Sequence, residues 1–124
     1  MKILVIDDDV MMLAAITQKL KEKQYVVSTT TDAAEALKIL GEDKIDLVIC
    51  DIVMPGVSGL TFLSILKNFY FSKVPLILIS SYAQDKVLKD AYNMGANYFI
   101  SKPIDYDLLL QKVQELTKTI PINH

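Results

Sequence analysis

Five short apolar runs, each followed by a stretch with helical periodicity, constrain this chain more than any other feature. The runs are Ile3 to Ile6, Gln24 to Thr30, Ile45 to Cys50, Val74 to Ile79 and Asn97 to Ile100. The third and fourth are almost wholly aliphatic and too short for typical helices. That is the pattern of strands buried on both faces, as in a parallel sheet. The second alternates more and is rich in β-branched residues.

The intervening stretches carry helix signals. Asp9 is a predicted N-cap for a helix from Val10 to Lys23, with Met12, Leu13, Ile16 and Leu20 on its apolar stripe. Asp32 with Glu35 resembles a capping box for a helix to Leu40, with Gly41 as its stop. Ser58 is placed to cap a helix to Tyr70 that turns Leu60, Leu63, Leu66 and Phe69 inward. A fourth helix is expected over Gln84 to Met94, ended by Gly95, and a fifth from Asp105 to Lys118, with Leu109, Val113 and Leu116 inward and Pro121 beyond it. Strict strand–helix alternation implies right-handed crossovers and helices on both faces of one parallel sheet. The expected fold is α/β, a doubly wound five-stranded parallel sheet of flavodoxin-like (β/α)5 form, as one domain over residues 1–124.

Polar residues follow the runs at a common place. Asp7 and Asp8 end the first, Asp51 the third, Ser80 the fourth and Lys102 the fifth. With strand order 2-1-3-4-5, those ends form one cleft at the carboxyl edge of the sheet, where ligands collect. Three carboxylates in one cleft repel unless one is protonated or a cation joins them. Oxygen ligands without His or Cys suit Mg²⁺. Asp7, Asp8 and Asp51 bring −3, and one Mg²⁺ with Lys102 brings +3, so a metal-loaded site is neutral before a ligand arrives. An incoming phosphoryl group would be stabilised by Mg²⁺ and Lys102, with the Ser80 hydroxyl as a neutral donor. Phosphoryl transfer needs mainly such positioning and electrostatics, and a carboxylate is an accepted nucleophile for it. Asp51, between the acidic pair and the lysine, fits that role.

Composition narrows the alternatives. The net charge of −2, with all 13 basic residues Lys and none Arg, argues against a nucleic-acid surface. No apolar stretch approaches a membrane span. The N-terminal run breaks into acids too early for a signal peptide, which makes the cytoplasm the expected location. Cys50, inside an apolar run, reads as a buried structural thiol.

Four separated motifs then coincide: Val5-Ile6-Asp7-Asp8-Asp9, Cys50-Asp51 through Ser58-Gly59, Leu78-Ile79-Ser80-Ser81, and Gly95-Ala96 through Ile100-Ser101-Lys102-Pro103. In that order, at strand ends and over essentially the whole chain, they resemble the receiver domains of two-component response regulators, in a form like the single-domain chemotaxis regulators. The resemblance implies a phosphorylation-dependent signalling switch, not an enzyme that turns over a separate substrate. Asp51 would accept a phosphoryl group from a phosphohistidine on a sensor histidine kinase or phosphotransfer protein. Asp8, Asp51 and the backbone carbonyl of Val53 would bind Mg²⁺, with Asp7 reaching it through water. Lys102 would contact the phosphoryl group, ahead of a cis bond to Pro103. Ser80 and Phe99 would move and change the face formed by helix four, strand five and helix five, altering binding to an output protein or fused output domain. No direct nucleic-acid or membrane contact is implied. Val53 and Tyr82, apolar and bulky near the acceptor, predict slow self-dephosphorylation, and Phe99 lacks the hydroxyl of the tyrosine common at its position. Two other functions share the architecture. An aspartyl-phosphate phosphohydrolase commonly wants a second acid two residues after the nucleophile, where Val53 stands. A pseudo-receiver that only binds usually lacks an acid or the lysine, and here none is missing.

Overall fold

The computed structural model describes residues 1–52, 59–65, 67–68, 74–81 and 85–118. Strands β1 (Lys2–Ile6), β2 (Val26–Thr30), β3 (Leu47–Asp51), β4 (Leu76–Ser80) and β5 (Tyr98–Ser101) alternate with helices α1 (Val10–Glu22), α2 (Ala33–Glu42), α3 (Gly59–Ile65), α4 (Asp85–Asn93) and α5 (Tyr106–Lys118). The strands form one parallel sheet in the order β2-β1-β3-β4-β5. The order reverses at β1, so with crossovers of one hand α1 must cover the face opposite to α2, α3 and α4.

The core follows from that wrapping. Leu4, Ile6, Val48, Cys50, Leu76 and Leu78 pack towards Ala36, Leu40, Phe62, Leu63 and Ala91. Ile3, Val5, Leu47, Ile49, Ile77 and Ile79 pack towards Leu13, Ile16, Leu20, Leu109 and Val113. Every residue of β3 and β4 is buried, which is why their sequences show no polar alternation. Among the described residues no helix is long and apolar enough to cross a membrane.

Several local expectations change. Asp9 caps α1 with its carboxylate on the Met11 and Met12 N–H groups. The Asp32 carboxylate accepts from Ala34 N–H, but Thr30 Oγ1, in the place a capping box gives Glu35, accepts the Asp32 N–H at 3.1 Å. Gly41 does not stop α2. The helix runs through it to Glu42, with Asp43 as C-cap. Gly95 does end α4. Its φ of 107° lies in the left-handed region, and the bonds Gly95 N–H to Tyr92 O and Ala96 N–H to Ala91 O form a Schellman turn. The same pair of bonds closes α1, with Gln24 at φ 68° in the glycine position. Gln24 therefore belongs to a turn and not to β2. In α5, Leu116 is only half-buried, and Thr117 is buried beside Leu109 and Val113. The expected Ser58 cap, Leu66, Phe69, Gln84 and Pro121 lie outside the described residues, as does the side chain of Leu60.

Candidate functional site

Each polar group of the site is delivered by a strand end. Ile6 pairs with Thr30 on one side and Cys50 on the other, and Asp51 pairs with Ile79. Asp7 and Asp51 thus emerge side by side at the carboxyl edge. The Asp7 N–H donates to Thr30 O at 3.2 Å, continuing the β1–β2 ladder one residue further. Ser80 and Ser101 are paired at the ends of β4 and β5. Lys102 N–H donates to Ser80 O at 2.9 Å, so β4 fixes where the lysine leaves β5.

The lysine side chain closes the group. Lys102 Nζ lies 3.0 Å from Asp51 Oδ2 and 3.2 Å from Asp7 Oδ2. Asp7 and Asp51 are buried, at 1% and 6% exposure, while Asp8 is exposed. Carboxylate oxygens of Asp7, Asp8 and Asp51 all lie within 4.8 Å of one another. The other Asp7 oxygen, Oδ1, accepts the Asp9 N–H at 2.9 Å, which sets the carboxylate's orientation.

Charge is out of balance here. Burial pushes the Asp7 carboxyl above its ordinary value; the Asp9 N–H bond opposes this, Asp51 adds to it, and Lys102 opposes it again. For Lys102, burial works against the ammonium, but the hydrogen bond and charge of Asp51 and then Asp7 outweigh it, so its pKa is raised. Three acids against one ammonium leave a surplus of two negative charges in a small volume. A divalent cation would cancel that surplus, and an all-oxygen donor set at this spacing fits Mg²⁺.

The remaining predicted residues are placed as follows. Ser80 is fully buried at the end of β4. Phe99, paired with Leu78, is half-buried and packs against the core on the α2–α3–α4 face. The Lys102–Pro103 peptide is cis. Val53 and Tyr82 lie outside the described residues. Cys50 is fully buried. Its thiol donates to Asp51 O at 3.2 Å, and burial, then Asp51 and Asp7, raises its pKa. Sequence reasoning missed Thr30, whose carbonyl and hydroxyl join β2 to the site and to α2. A threonine two residues before an Asx cap was the available signal. Tyr92 was missed too: its hydroxyl accepts the Phe99 N–H at 3.2 Å.

Comparison with known proteins agrees with this architecture. Residues 3–114 match the family model described as the response regulator receiver domain. The transcriptional regulatory protein CrdR of Helicobacter pylori is 26% identical over 98% of the chain and 57% of its own length. A probable transcriptional regulator, ycf29, of Cyanophora paradoxa is 35% identical over 87% of the chain and 52% of its own length. The chain thus spans little more than half of the curated relatives it matches. The receiver domain of a Francisella response regulator superposes with a TM-score of 0.91 at 27% identity, covering 97% of this chain and 98% of that one.

Proposed function

The chain belongs to the response regulator receiver domain family, and from that premise we propose that it is a phosphorylation-dependent switch with Asp51 as the phosphoacceptor. The proposed donor is a phosphohistidine on a sensor histidine kinase or phosphotransfer protein in the cytoplasm. A carboxylate oxygen of Asp51 attacks phosphorus as the bond from phosphorus to the imidazole nitrogen breaks. The imidazole leaves with that electron pair and takes up a proton, and Asp51 becomes an acyl phosphate.

The observation that carries the reading is the short contact of Lys102 Nζ with both Asp51 and Asp7 in a pocket that still holds surplus negative charge. Lys102 neutralises the acceptor before transfer and would pair with phosphoryl oxygens after it. Asp8 and Asp51 are the proposed direct ligands of Mg²⁺, with Asp7 acting through water and the carbonyl of Val53 as a further ligand. Bound there, the ion would offset the charge of the carboxylates and of the arriving phosphoryl oxygens. Ser80 and Phe99 are the proposed relays to the face of α4, β5 and α5, which would bind an output protein or a fused output domain. On this reading the domain itself contacts no nucleic acid.

Incubation with acetyl phosphate and Mg²⁺ tests this. Intact mass should rise by one phosphoryl group in the wild type, with no gain for Asp51→Asn or without the metal. No gain under conditions that label a control receiver, or labelling that persists in Asp51→Asn, overturns the reading.

A further inference from the structure

Strand β5 is the last strand on its side of the sheet, so every second backbone N–H faces away from β4 and lacks a strand partner. At Phe99 that outward N–H donates to the Tyr92 hydroxyl at 3.2 Å. Tyr92 sits on the last turn of α4, just before the Gly95 turn, and is itself 47% exposed. One hydroxyl thus ties the end of α4 to the backbone of the edge strand. The preceding residue is tied the other way. Tyr98 Oη donates to Glu115 Oε2 at 3.0 Å, and Lys112 Nζ lies 4.4 Å from the Tyr98 ring centroid, which holds that side chain on α5.

The two ties differ in what they restrain. The Tyr98 contacts hold a side chain and leave the backbone of β5 free to shift. The Tyr92 bond holds the backbone at Phe99, so it breaks when either α4 or the strand moves. It coexists with the direct contact of Lys102 Nζ and Asp51 Oδ2 at 3.0 Å, which a phosphoryl group on Asp51 would have to part. An exposed hydrogen bond whose donor can turn to water biases an equilibrium without locking it.

We propose that Tyr92 is a latch of the unmodified state: by accepting the Phe99 N–H it holds α4 on β5, and modification of Asp51 must release it. This rests on the phosphoacceptor reading. It also gives Phe99, which has no hydroxyl of its own, a hydrogen-bonded check on its movement through its backbone.

Tyr92→Phe removes the hydroxyl and keeps the ring. Binding of beryllofluoride with Mg²⁺, a mimic of the phosphoryl group, should tighten by about two- to tenfold, the range expected for losing one such bond from the resting state alone. Tyr98→Phe, which cuts the tie to α5, should bind within about twofold of wild type, because the latch bond is intact. Amide exchange at Phe99 should be faster in Tyr92→Phe than in wild type, and faster in wild type with the mimic than without. Equal affinity in Tyr92→Phe, equal tightening in Tyr98→Phe, or unchanged Phe99 protection overturns the latch alone. A wild type that takes up no beryllofluoride overturns the phosphoacceptor reading and the latch with it.

Discussion

The two ends of β1 are built from the same side chains and do opposite things. At its start, Lys2 Nζ meets Asp43 Oδ2 at 2.9 Å, and the Lys2 N–H donates to Asp46 Oδ2 at 2.8 Å. At its finish, Asp7 and Asp51 share Lys102. Side chains of the first ion pair are 31% and 44% exposed, while those of Lys102, Asp7 and Asp51 are 18%, 2% and 7% exposed. Water screens the first cluster, which therefore fastens the chain and little more. In the second, charge is held where water screens it poorly, so any cation or group that rebalanced it would be felt at close to full strength.

Removing each lysine should give the largest contrast. Lys102→Met strands two buried carboxylates and is expected to cost about 3 kcal/mol at neutral pH, the lower part of the range for breaking a buried pair. Lys2→Met removes a screened pair and should cost less than about 1 kcal/mol. Urea unfolding measures both. The Lys102→Met deficit should shrink as pH falls towards the carboxylate range, where the stranded acids take up protons. Equal losses for the two variants would erase the distinction between the ends.

A smaller effect comes from Asp7. Its pKa is raised in the folded chain, chiefly by burial. The folded state therefore holds that proton more tightly than the unfolded one, and this group's contribution to stability falls as pH rises from the ordinary carboxylate range through the raised value. Asp7→Asn should stabilise the metal-free protein at neutral pH and flatten that part of the stability profile. Thermal melts between pH 4 and pH 8 decide it, and a destabilised Asp7→Asn would show that Lys102 already satisfies the carboxylate.

How much of this could be read without coordinates follows the same division. Runs such as Val48-Ile49-Cys50 and Leu76-Ile77-Leu78 announce strands because burial on two faces requires unbroken apolar sequence, and the acids and lysine that follow mark the carboxyl edge. Burial of Asp7 and its bond to the Asp9 N–H were not legible, since both depend on how far β2 and β3 extend around it. The helix ends were harder still. Gly41 carries a stop signal, yet α2 continues because Ile39 O finds the Asp43 N–H at 2.8 Å. Glu35 fits the capping-box spacing, yet the hydroxyl of Thr30, two residues before the cap, accepts the Asp32 N–H. In both cases one local bond displaces another, and a choice between contacts each worth about 1 kcal/mol is not decided by residue spacing alone.

The smallest predicted effect lies at the exposed end of the sheet. Gln24 closes α1 at φ 68° and leads through Tyr25 to Val26, whose N–H donates to Met1 O beside Lys2. A side chain in the left-handed region costs about 1–2 kcal/mol, and glycine returns part of that gain through its greater loss of freedom on folding, about 0.5–1 kcal/mol. Gln24→Gly should therefore stabilise the domain by about 0.5–1 kcal/mol, seen as a higher urea midpoint with unchanged slope. Because the turn is remote from Asp51, beryllofluoride affinity should stay at the wild-type value. A stabilised variant with altered affinity would mean that the two ends of β1 communicate through the strand and cannot be treated as separate devices.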